Sequence, residues 1–333
     1  MDKLVFTCGD VNGIGPEIAL KTLHKISNRN KNSKYYLFIP ENVFNNIKGL
    51  IKLNFEYELF NEDNFYYSDS KITIILQQSV KLDIGKPTRA SGTASYKSLK
   101  ASFNLLENGI ADAVITAPVS KTAFNLAGIN FPGQTELFAQ WSKSKNFIMT
   151  FLSRKINVAI YSIHVPLKKV SGLLKADVLM NRLDLLNRTL KKDLGISDPK
   201  IAVLGLNPHA GESGIIGNEE VATIIPVLEK IKRKVNINGP FTPDAFFAKR
   251  KYKEFDLTFG IYHDQVLIPF KYINSGKGVN FTAGLPIIRT SPDHGVAYDI
   301  AWKGIADETS FIQAVKYASL IHRNRSKYAP SKK

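Results

Sequence analysis

Apolar and polar residues follow one another along the chain in two alternating patterns, and together these patterns predict an α/β protein. Short runs rich in β-branched and aromatic residues, such as 4–8, 35–40 and 73–76, predict strands. Between them lie segments with apolar residues three or four positions apart, which predict helices. Because strands and helices alternate from end to end, we expect a largely parallel sheet.

Turn and capping residues mark the ends of the clearest predicted helices. Residues 16–26 begin with Pro16 at the first helical position, and residues 92–107 end at the Asn108-Gly109 pair. The second of these helices leads into the apolar strand 111–118, as expected of a crossover between parallel strands. Near the C-terminus a helix is predicted to begin at residue 309 or 310 and to turn four residues inward: Phe311, Val315, Ala318 and Ile321.

Two adjacent apolar runs, 147–152 and 156–163, are joined by a short turn and predict a hairpin. A purely parallel sheet contains no hairpin, so we expect a mixed, mostly parallel sheet and a change of topology in the middle of the chain. We therefore predict a discontinuous domain formed by residues 1–128 and 265–333. Residues 129–264 would be inserted into it as a middle domain.

Composition indicates a globular protein of a reducing compartment. The chain has 333 residues, of which 44% are hydrophobic, enough for two domains with cores of their own. Its single cysteine, Cys8, excludes an internal disulfide, and we expect it to be a small buried apolar residue. No apolar stretch is long enough for a signal peptide or a membrane span. We therefore expect a cytoplasmic protein that does not act at a membrane.

A formal net charge of +16 raises the question of nucleic acid as a partner. The basic residues are scattered over predicted helix faces, apart from a short basic tail at 323–333. They are not interleaved with the aromatic residues that stack on bases. We therefore expect anionic small molecules as partners, and no nucleic acid.

Three of the six histidines stand where a predicted strand ends. His164 follows the run 156–163, His209 follows 201–206, and His263 follows 257–262. Strand ends are where α/β enzymes assemble their sites, and three imidazoles with one open position are typical of a catalytic metal. Spacing alone does not bring the three together, and hydrogen-bonded loop histidines are the alternative.

Three further segments have the composition of an anion site. One is the glycine turn 9–17, which lacks the third glycine of the dinucleotide-binding motif. The second combines Thr116–Lys121, which follows an apolar strand, with Gly133-Gln134-Thr135-Glu136, where Thr135 is in position to cap the helix that follows while Gln134 or Thr135 faces a ligand. The third is a stretch with several glycines that carries Lys271, Asn280 and Arg289, donors suited to phosphate or carboxylate. The alternatives are a plain turn, a plain cap and a solvated basic loop.

These blocks together resemble the 4-hydroxythreonine-4-phosphate dehydrogenase family of vitamin B6 biosynthesis. The resemblance spans nearly the whole chain, through GDVNGIGPEIALK, ADAVITAPVSK, FPGQTE, IYSIH, LGLNPHAGESG, YHDQVLIPFKY and VNFTAGLPIIRTSPDHGVAYDIA. It implies a two-domain, three-layer isocitrate/isopropylmalate dehydrogenase-like fold with its active-site cleft between the domains. The segment HGVAYDIAWKGIAD is similar to the loop beside the adenosine of NAD in that fold, which implies cofactor contacts from His294, Gly295 and Asp299.

The resemblance also implies a reaction and its machinery. It implies metal-dependent, NAD- or NADP-linked oxidation and decarboxylation of 4-phosphooxy-L-threonine to 3-amino-2-oxopropyl phosphate. The metal, Zn²⁺, Mg²⁺ or Co²⁺, would be held by His164, His209 and His263 across the interface of a homodimer, formed by the middle domain. Substrate contacts match Gln134, Thr135, Lys271, Asn280 and Arg289. Asp244 and Asp264 are acidic candidates for proton transfer, or for supporting the imidazoles.

Two departures from the family pattern bear on substrate and cofactor. Gln134 stands where the family usually has histidine, and an amide donates a hydrogen bond but cannot carry a proton to or from the substrate. Trp302 stands where related sequences commonly have glycine. An alternative function is therefore that of a related dehydrogenase acting on a 4-phosphorylated threonate or erythronate. A more distant alternative is a non-catalytic, basic nucleic-acid or metabolite binder.

Overall fold

Parallel strands alternate with helices in the computed structural model, which describes residues 2–27, 33–62, 64, 68–131 and 133–328. The chain forms two compact units. The first unit consists of Met1–Lys143 with Pro286–His322, and the second of Ser144–Leu285 with Arg323–Lys333. The domains expected from the sequence, 1–128 with 265–333 and 129–264, stay a prediction. The last five residues of the basic tail lie outside the described residues.

The first unit begins with a run of strand and helix pairs. In chain order its elements are β1 (Asp2–Thr7), α1 (Gly15–Ser27), β2 (Ser33–Pro40), α2 (Glu41–Ile51), β3 (Glu58–Asn61), β4 (Ile72–Gln77), α3 (Arg89–Glu107), β5 (Ala113–Ile115), α4 (Lys121–Leu126) and α5 (Gln134–Trp141). The second unit continues with β6 (Ile148–Leu152), β7 (Val158–Ser162), α6 (Val170–Leu173), α7 (Ala176–Lys192), β8 (Lys200–Leu204), α8 (Ile225–Ile231), β9 (Asn236–Phe241), α9 (Pro243–Ala248), β10 (Leu257–Tyr262), α10 (His263–Asn274) and β11 (Val279–Ala283). The chain then returns to the first unit with β12 (Arg289–Pro292) and ends in α11 (Thr309–Tyr328).

All strand pairs within the first unit are parallel, in the order β3-β4-β2-β1-β5-β12. The central strands are apolar on both faces because helices cover both, as the fully buried Leu4, Val5 and Phe6 of β1 illustrate. In this sheet β12 pairs with β5 through Arg289↔Val114 and Thr290↔Ile115. The pairing places Arg289 beside the strand that leads into the TAPVSK segment.

The second unit has a mixed sheet in the order β11-β6-β7-β10-β8-β9. β6 is antiparallel to both β7 and β11, whereas β7, β10, β8 and β9 pair in parallel. The hairpin of β6 and β7, the predicted helices and the mixed, mostly parallel sheet are confirmed. A core of apolar side chains from β6, β7, β8 and α10, including Phe151, Ile160 and Phe270, lies against this sheet.

Within the described ranges, no helix is long and apolar enough to cross a membrane. The C-terminal helix α11 begins at Thr309 and buries Phe311, Val315, Ala318 and Ile321, as predicted. Cys8 is a free thiol with no exposed surface, also as predicted.

Candidate functional site

Arg289 at the start of β12 is a buried cation that donates hydrogen bonds to hydroxyl and amide oxygens. Arg289 is 3% exposed to solvent. Nε donates to Thr116 Oγ1 at 3.2 Å, Nη1 to Thr135 Oγ1 at 3.1 Å, and Nη2 to Gln134 Oε1 at 3.3 Å and Ser291 Oγ at 3.1 Å. Burial lowers the pKa of the guanidinium to about 10, and the nearby Glu136 carboxylate opposes that shift. Arg289 is therefore still protonated at neutral pH and is a source of positive potential inside the first unit.

Gln134 links Arg289 to the backbone of the TAPVSK segment. Its carboxamide oxygen accepts from Arg289, and its Nε2 donates to the carbonyl oxygen of Ala117 at 2.9 Å. The expected cap by Thr135 is wrong, because α5 begins at Gln134 with Gly133 as its N-cap and no side-chain capping bond. Thr135 lies inside the first turn, where its hydroxyl accepts from Arg289. Both residues thus order the guanidinium.

The three predicted metal ligands follow neighbouring parallel strands of the second unit. His164 comes after β7, His263 after β10 and His209 after β8, and these strands are adjacent in the order β7-β10-β8. Because Ser162 and Tyr262 are register partners, His164 and His263 leave the sheet at the same level. Their ring centroids are 6.4 Å apart. Both rings line a cavity of about 350 Å³, together with Ser162, Val170, Tyr262 and Asp264.

The chemistry of the His164–His263 pair fits a divalent metal. Nδ1 of His263 lies 2.6 Å from Oδ1 of Asp264, a contact that fixes the ring and leaves Nε2 to ligate when Nδ1 carries the proton. Among the described residues of a single chain, no three His, Cys, Asp or Glu side chains are grouped so that they hold a metal. The three-histidine site shared between two chains stays a prediction.

His209 lies in a loop of unusual backbone conformation. Residues 209–213 all have positive φ values, and His209 itself has a φ of 53° and a ψ of 24°. The carboxylate of Glu220, fully buried at the start of the next helix, accepts from the backbone N–H of Leu206 at 2.7 Å and of Asn207 at 2.8 Å. The conformation of this loop is therefore fixed by bonds at its entry.

The remaining predicted site residues are dispersed over the second unit. Lys271 is exposed near the end of α10, and Asp244 is exposed in the first turn of α9. Asn280 in β11 has a buried Oδ1 that finds no hydrogen-bond partner among the described residues. A buried amide oxygen without a partner is available to a ligand. The substrate and catalytic roles of these residues stay predictions.

The glycine turn supports the predicted cofactor loop, and four of its backbone N–H groups already donate within the protein. The N–H groups of Asp10, Asn12, Gly13 and Ile14 all donate within the protein. Ile14 donates to the carbonyl of Val296 at 3.0 Å, so the turn holds the loop that contains His294, Gly295 and Asp299. Nε2 of His294 is buried without a hydrogen-bond partner in the described part of the chain.

Two side chains of the loop also reach back to the turn. Tyr298 donates its hydroxyl to Oδ2 of the buried Asp10 at 2.8 Å, and burial raises the pKa of both groups. Trp302 has a φ of 58°, in the region that glycine adopts without strain, and its Nε1 donates to the carbonyl of Val11 at 2.9 Å. The tryptophan thus adds an anchor where glycine would add none.

Sequence reasoning did not find the contacts that hold the site residues in place. Thr116 and Ser291 orient Arg289, and Glu220 orders the loop of His209. Thr116 lies in a block that was already recognisable as the end of a strand. Glu220 had no such signal, because it lies 13 positions beyond the asparagine that it binds.

Comparison with known proteins gives a consistent result over the whole chain. The profile of a family described as pyridoxal phosphate biosynthetic protein PdxA matches residues 31–318. A 4-hydroxythreonine-4-phosphate dehydrogenase of Sulfurihydrogenibium sp. is 38% identical, over 98% of this chain and 100% of its own length. A protein of Oceanobacillus iheyensis, provisionally named D-threonate 4-phosphate dehydrogenase, is 36% identical over 94% of this chain and 95% of its own.

A solved structure agrees with these sequence relatives. The 4-hydroxythreonine-4-phosphate dehydrogenase of Klebsiella pneumoniae superimposes with a TM-score of 0.81 at 30% identity, covering 97% of this chain and 100% of that one.

Proposed function

The chain belongs to the PdxA family of pyridoxal phosphate biosynthetic proteins, and we propose that it oxidises and decarboxylates 4-phosphooxy-L-threonine. The observation that carries this proposal is the match over 98% of the chain to a relative named for that dehydrogenase activity. The enzyme class is oxidoreductase, and its pathway is pyridoxal phosphate biosynthesis.

The proposed reaction balances in two steps. The substrate alcohol at C3 loses a hydride to NAD⁺ or NADP⁺ and a proton to a base, which gives a 3-oxo acid. The bond between C1 and C2 then breaks, carbon dioxide leaves, and a proton is added at C2. The product is 3-amino-2-oxopropyl phosphate. Asp264 and Asp244 are the proposed groups for moving these protons, or for supporting the imidazoles.

Anionic groups of the substrate would be bound by Arg289, Lys271 and Asn280. A buried guanidinium that remains protonated favours a phosphate or carboxylate nearby, and here its hydrogen bonds go to hydroxyl and amide oxygens. Gln134 and Thr135 fix its orientation by accepting from it. Holding the two anionic ends of the substrate sets the alcohol carbon against the cofactor.

His164, His209 and His263 would hold a divalent metal, Zn²⁺, Mg²⁺ or Co²⁺. The support is their position after three adjacent parallel strands, together with the Asp264 contact that orients His263. When bound, such an ion would supply a Lewis acid for the alcohol and carbonyl oxygens. The cofactor, NAD or NADP, would lie against His294, Gly295 and Asp299, and the buried unpartnered Nε2 of His294 supports a ligand at this loop.

A homodimer that shares the metal site is proposed from the exposed surface of the second unit. Large apolar side chains are exposed shortly after each histidine: Leu167 after His164, Ile215 after His209, and Ile268 and Tyr272 after His263. Ile215 is 83% exposed and Tyr272 is 88% exposed. Exposed apolar side chains near a site are typical of a surface that another chain covers, and this supports the proposed interface. We further propose a cytoplasmic location, which the single reduced cysteine supports.

The test is an assay with two substrates. Purified protein is supplied with Co²⁺, Mg²⁺ or Zn²⁺, with NAD⁺ or NADP⁺, and with 4-phosphooxy-L-threonine or a 4-phosphorylated threonate. We expect NAD(P)H, carbon dioxide and 3-amino-2-oxopropyl phosphate from the first substrate, in equal amounts by absorbance and mass spectrometry. Turnover of only the amine-free acid would reject the proposed substrate and leave the reaction class intact.

Two lysines provide a matched pair of variants for substrate binding. Lys271 and Lys277 are both exposed and lie six positions apart. Lys271→Met is expected to raise KM for the phosphorylated substrate, because it removes a donor to an anionic group, whereas Lys277→Met is expected to leave KM unchanged. Equal KM values for the two variants would remove Lys271 from the proposed site.

A further inference from the structure

The loop that carries His209 has a backbone that its own residues do not favour. His209, Ala210, Glu212 and Ser213 have φ values of 53°, 53°, 40° and 59°, with Gly211 between them at 79°. L-residues with side chains disfavour this region, and a run of four such residues persists only when surrounding structure enforces it. The groups that enforce it therefore determine where the imidazole lies.

The carboxylate of Glu220 holds the residues that enter this loop. Oε1 accepts from two consecutive backbone N–H groups, Leu206 at 2.7 Å and Asn207 at 2.8 Å, and Oε2 accepts from Nδ2 of Asn207 at 2.8 Å. The residue has no exposed surface. A buried carboxylate with three donors within bonding distance is strongly held, because each bond is charge-assisted.

The loop is packed around this carboxylate. A Cβ on Gly211 would lie 2.7 Å from Oε2 of Glu220, and one on Gly205 would lie 3.0 Å from Oε1. Both positions therefore exclude a side chain, so the loop passes the carboxylate at backbone distance on each side. The carboxylate is thus close to the backbone two residues before His209, at Asn207, and two residues after it, at Gly211.

A second carboxylate strengthens the entry to the loop. Nδ2 of Asn207 also donates to Oε2 of Glu219 at 2.7 Å, and Ser171 donates its hydroxyl to Oε1 of Glu219. Glu219 and Glu220 are consecutive residues at the start of a helix whose turn at 220–224 is a π-helix. Wide π turns occur often at functional sites, where they present side chains that a regular helix would not.

We propose that Glu220 is a positioning residue for His209, which sets the place of this imidazole for the metal. The inference rests on the proposed metal role of His209. Because Glu220 acts only through the loop, its loss should weaken metal binding while leaving the folded protein and its chemistry at saturating metal largely intact. Residues that orient metal ligands typically change metal affinity by about 10- to 100-fold when they are substituted.

The test measures Co²⁺ binding directly, by the visible absorption of the bound ion and by calorimetry, in the full chain. The variants are Glu220→Gln, His209→Ala and the matched control Glu229→Gln, which replaces an exposed glutamate of α8 that pairs with Lys232. Glu220→Gln loses one acceptor and places an amide donor against Asn207. We expect its dissociation constant for Co²⁺ to rise by about 10- to 100-fold, with kcat recovered at high Co²⁺. The control should match the wild type.

The outcomes separate this inference from the proposed metal site. Weaker Co²⁺ binding in both His209→Ala and Glu220→Gln supports both. Weaker binding in His209→Ala alone overturns the role of Glu220 and leaves the metal site standing. Unchanged binding in His209→Ala overturns the metal role of that residue and the inference with it. Should Glu220→Gln fail to fold, Asn207→Ala decides, because it removes the side-chain bond to Oε2 of Glu220. We expect weaker Co²⁺ binding than in the control, and binding equal to the control would overturn the role of Glu220.

Discussion

Replacement of Gln134 by methionine tests whether this side chain orders the buried cation of the first unit. Methionine has nearly the same length and shape as glutamine but neither a strong donor nor a strong acceptor. The substitution therefore leaves the packing of α5 in place. It removes the acceptor for Nη2 of Arg289 and the donor to the carbonyl of Ala117.

The expected cost follows from these two contacts. A hydrogen bond to a charged group contributes about 1.5–3 kcal/mol, and a buried carbonyl left without a partner costs about 1–3 kcal/mol. The bond from Arg289 is long, at 3.3 Å, so the lower part of the first range applies. We expect the free energy of unfolding to fall by about 3 kcal/mol.

Tryptophan fluorescence during urea unfolding reports on the correct part of the molecule. The chain has two tryptophans, Trp141 and Trp302, and both belong to the first unit, as Gln134 does. The matched control is Gln140→Met, on the same helix but exposed, which should change stability by less than about 0.5 kcal/mol. KM for the phosphorylated substrate should rise in Gln134→Met and not in the control, because only the former releases Arg289.

Equal urea midpoints for Gln134→Met and Gln140→Met would refute the reasoning, since they would mean that Arg289 and Ala117 find other partners at no cost. A stability loss without a change in KM would restrict Gln134 to a structural role and separate Arg289 from substrate binding.

Three further predictions concern other parts of the molecule. Burial raises the pKa of Asp10, so the stability that this carboxyl contributes is present at acid pH and is lost as pH rises through its folded pKa. The free energy of unfolding of Asp10→Asn should therefore increase relative to that of the wild type as pH rises above about 4, the ordinary pKa of an aspartate, and a difference that does not change with pH would contradict this. Asp193→Asn removes the negative charge from a part-buried bidentate pair with Arg325. It should lower the free energy of unfolding by about 2 kcal/mol, measured by circular dichroism, whereas an unchanged midpoint would mean that the pair contributes nothing. Lysine in place of both Ile268 and Tyr272 should give monomers in sedimentation experiments, and an unaltered dimer would place the interface elsewhere.

Regular elements could be predicted from the sequence because their signals are local. β10 was expected at 257–262 and is observed at Leu257–Tyr262, since its apolar run ends at a histidine and a helix follows. The short strand β3 was not predicted, because its four residues are mostly exposed and show no clear alternation. The expected cap by Thr135 was wrong, since an extended Gly133 serves as the N-cap and the helix begins two residues earlier than expected.

Site residues could be proposed from motifs, but their supporting contacts could not. The four side chains around Arg289 come from three separate segments, and one of them, Thr116, lies 173 positions away in sequence. No periodicity records such pairings, because they arise only when β12 takes its place beside β5. The role of the glycine turn was open for the same reason, and it became clear only from the bond between Ile14 and Val296.

The exposed apolar side chains that follow each histidine have a consequence for handling the protein. They lie in the segments that would hold the metal. A chain separated from the proposed partner subunit would therefore expose an apolar surface and an incomplete set of metal ligands at the same time. Precipitation and loss of metal during purification would then be two symptoms of one event. Dilution would be enough to produce both effects without a chelator. A protein that precipitates on dilution should therefore be tested for bound metal before it is judged to be misfolded.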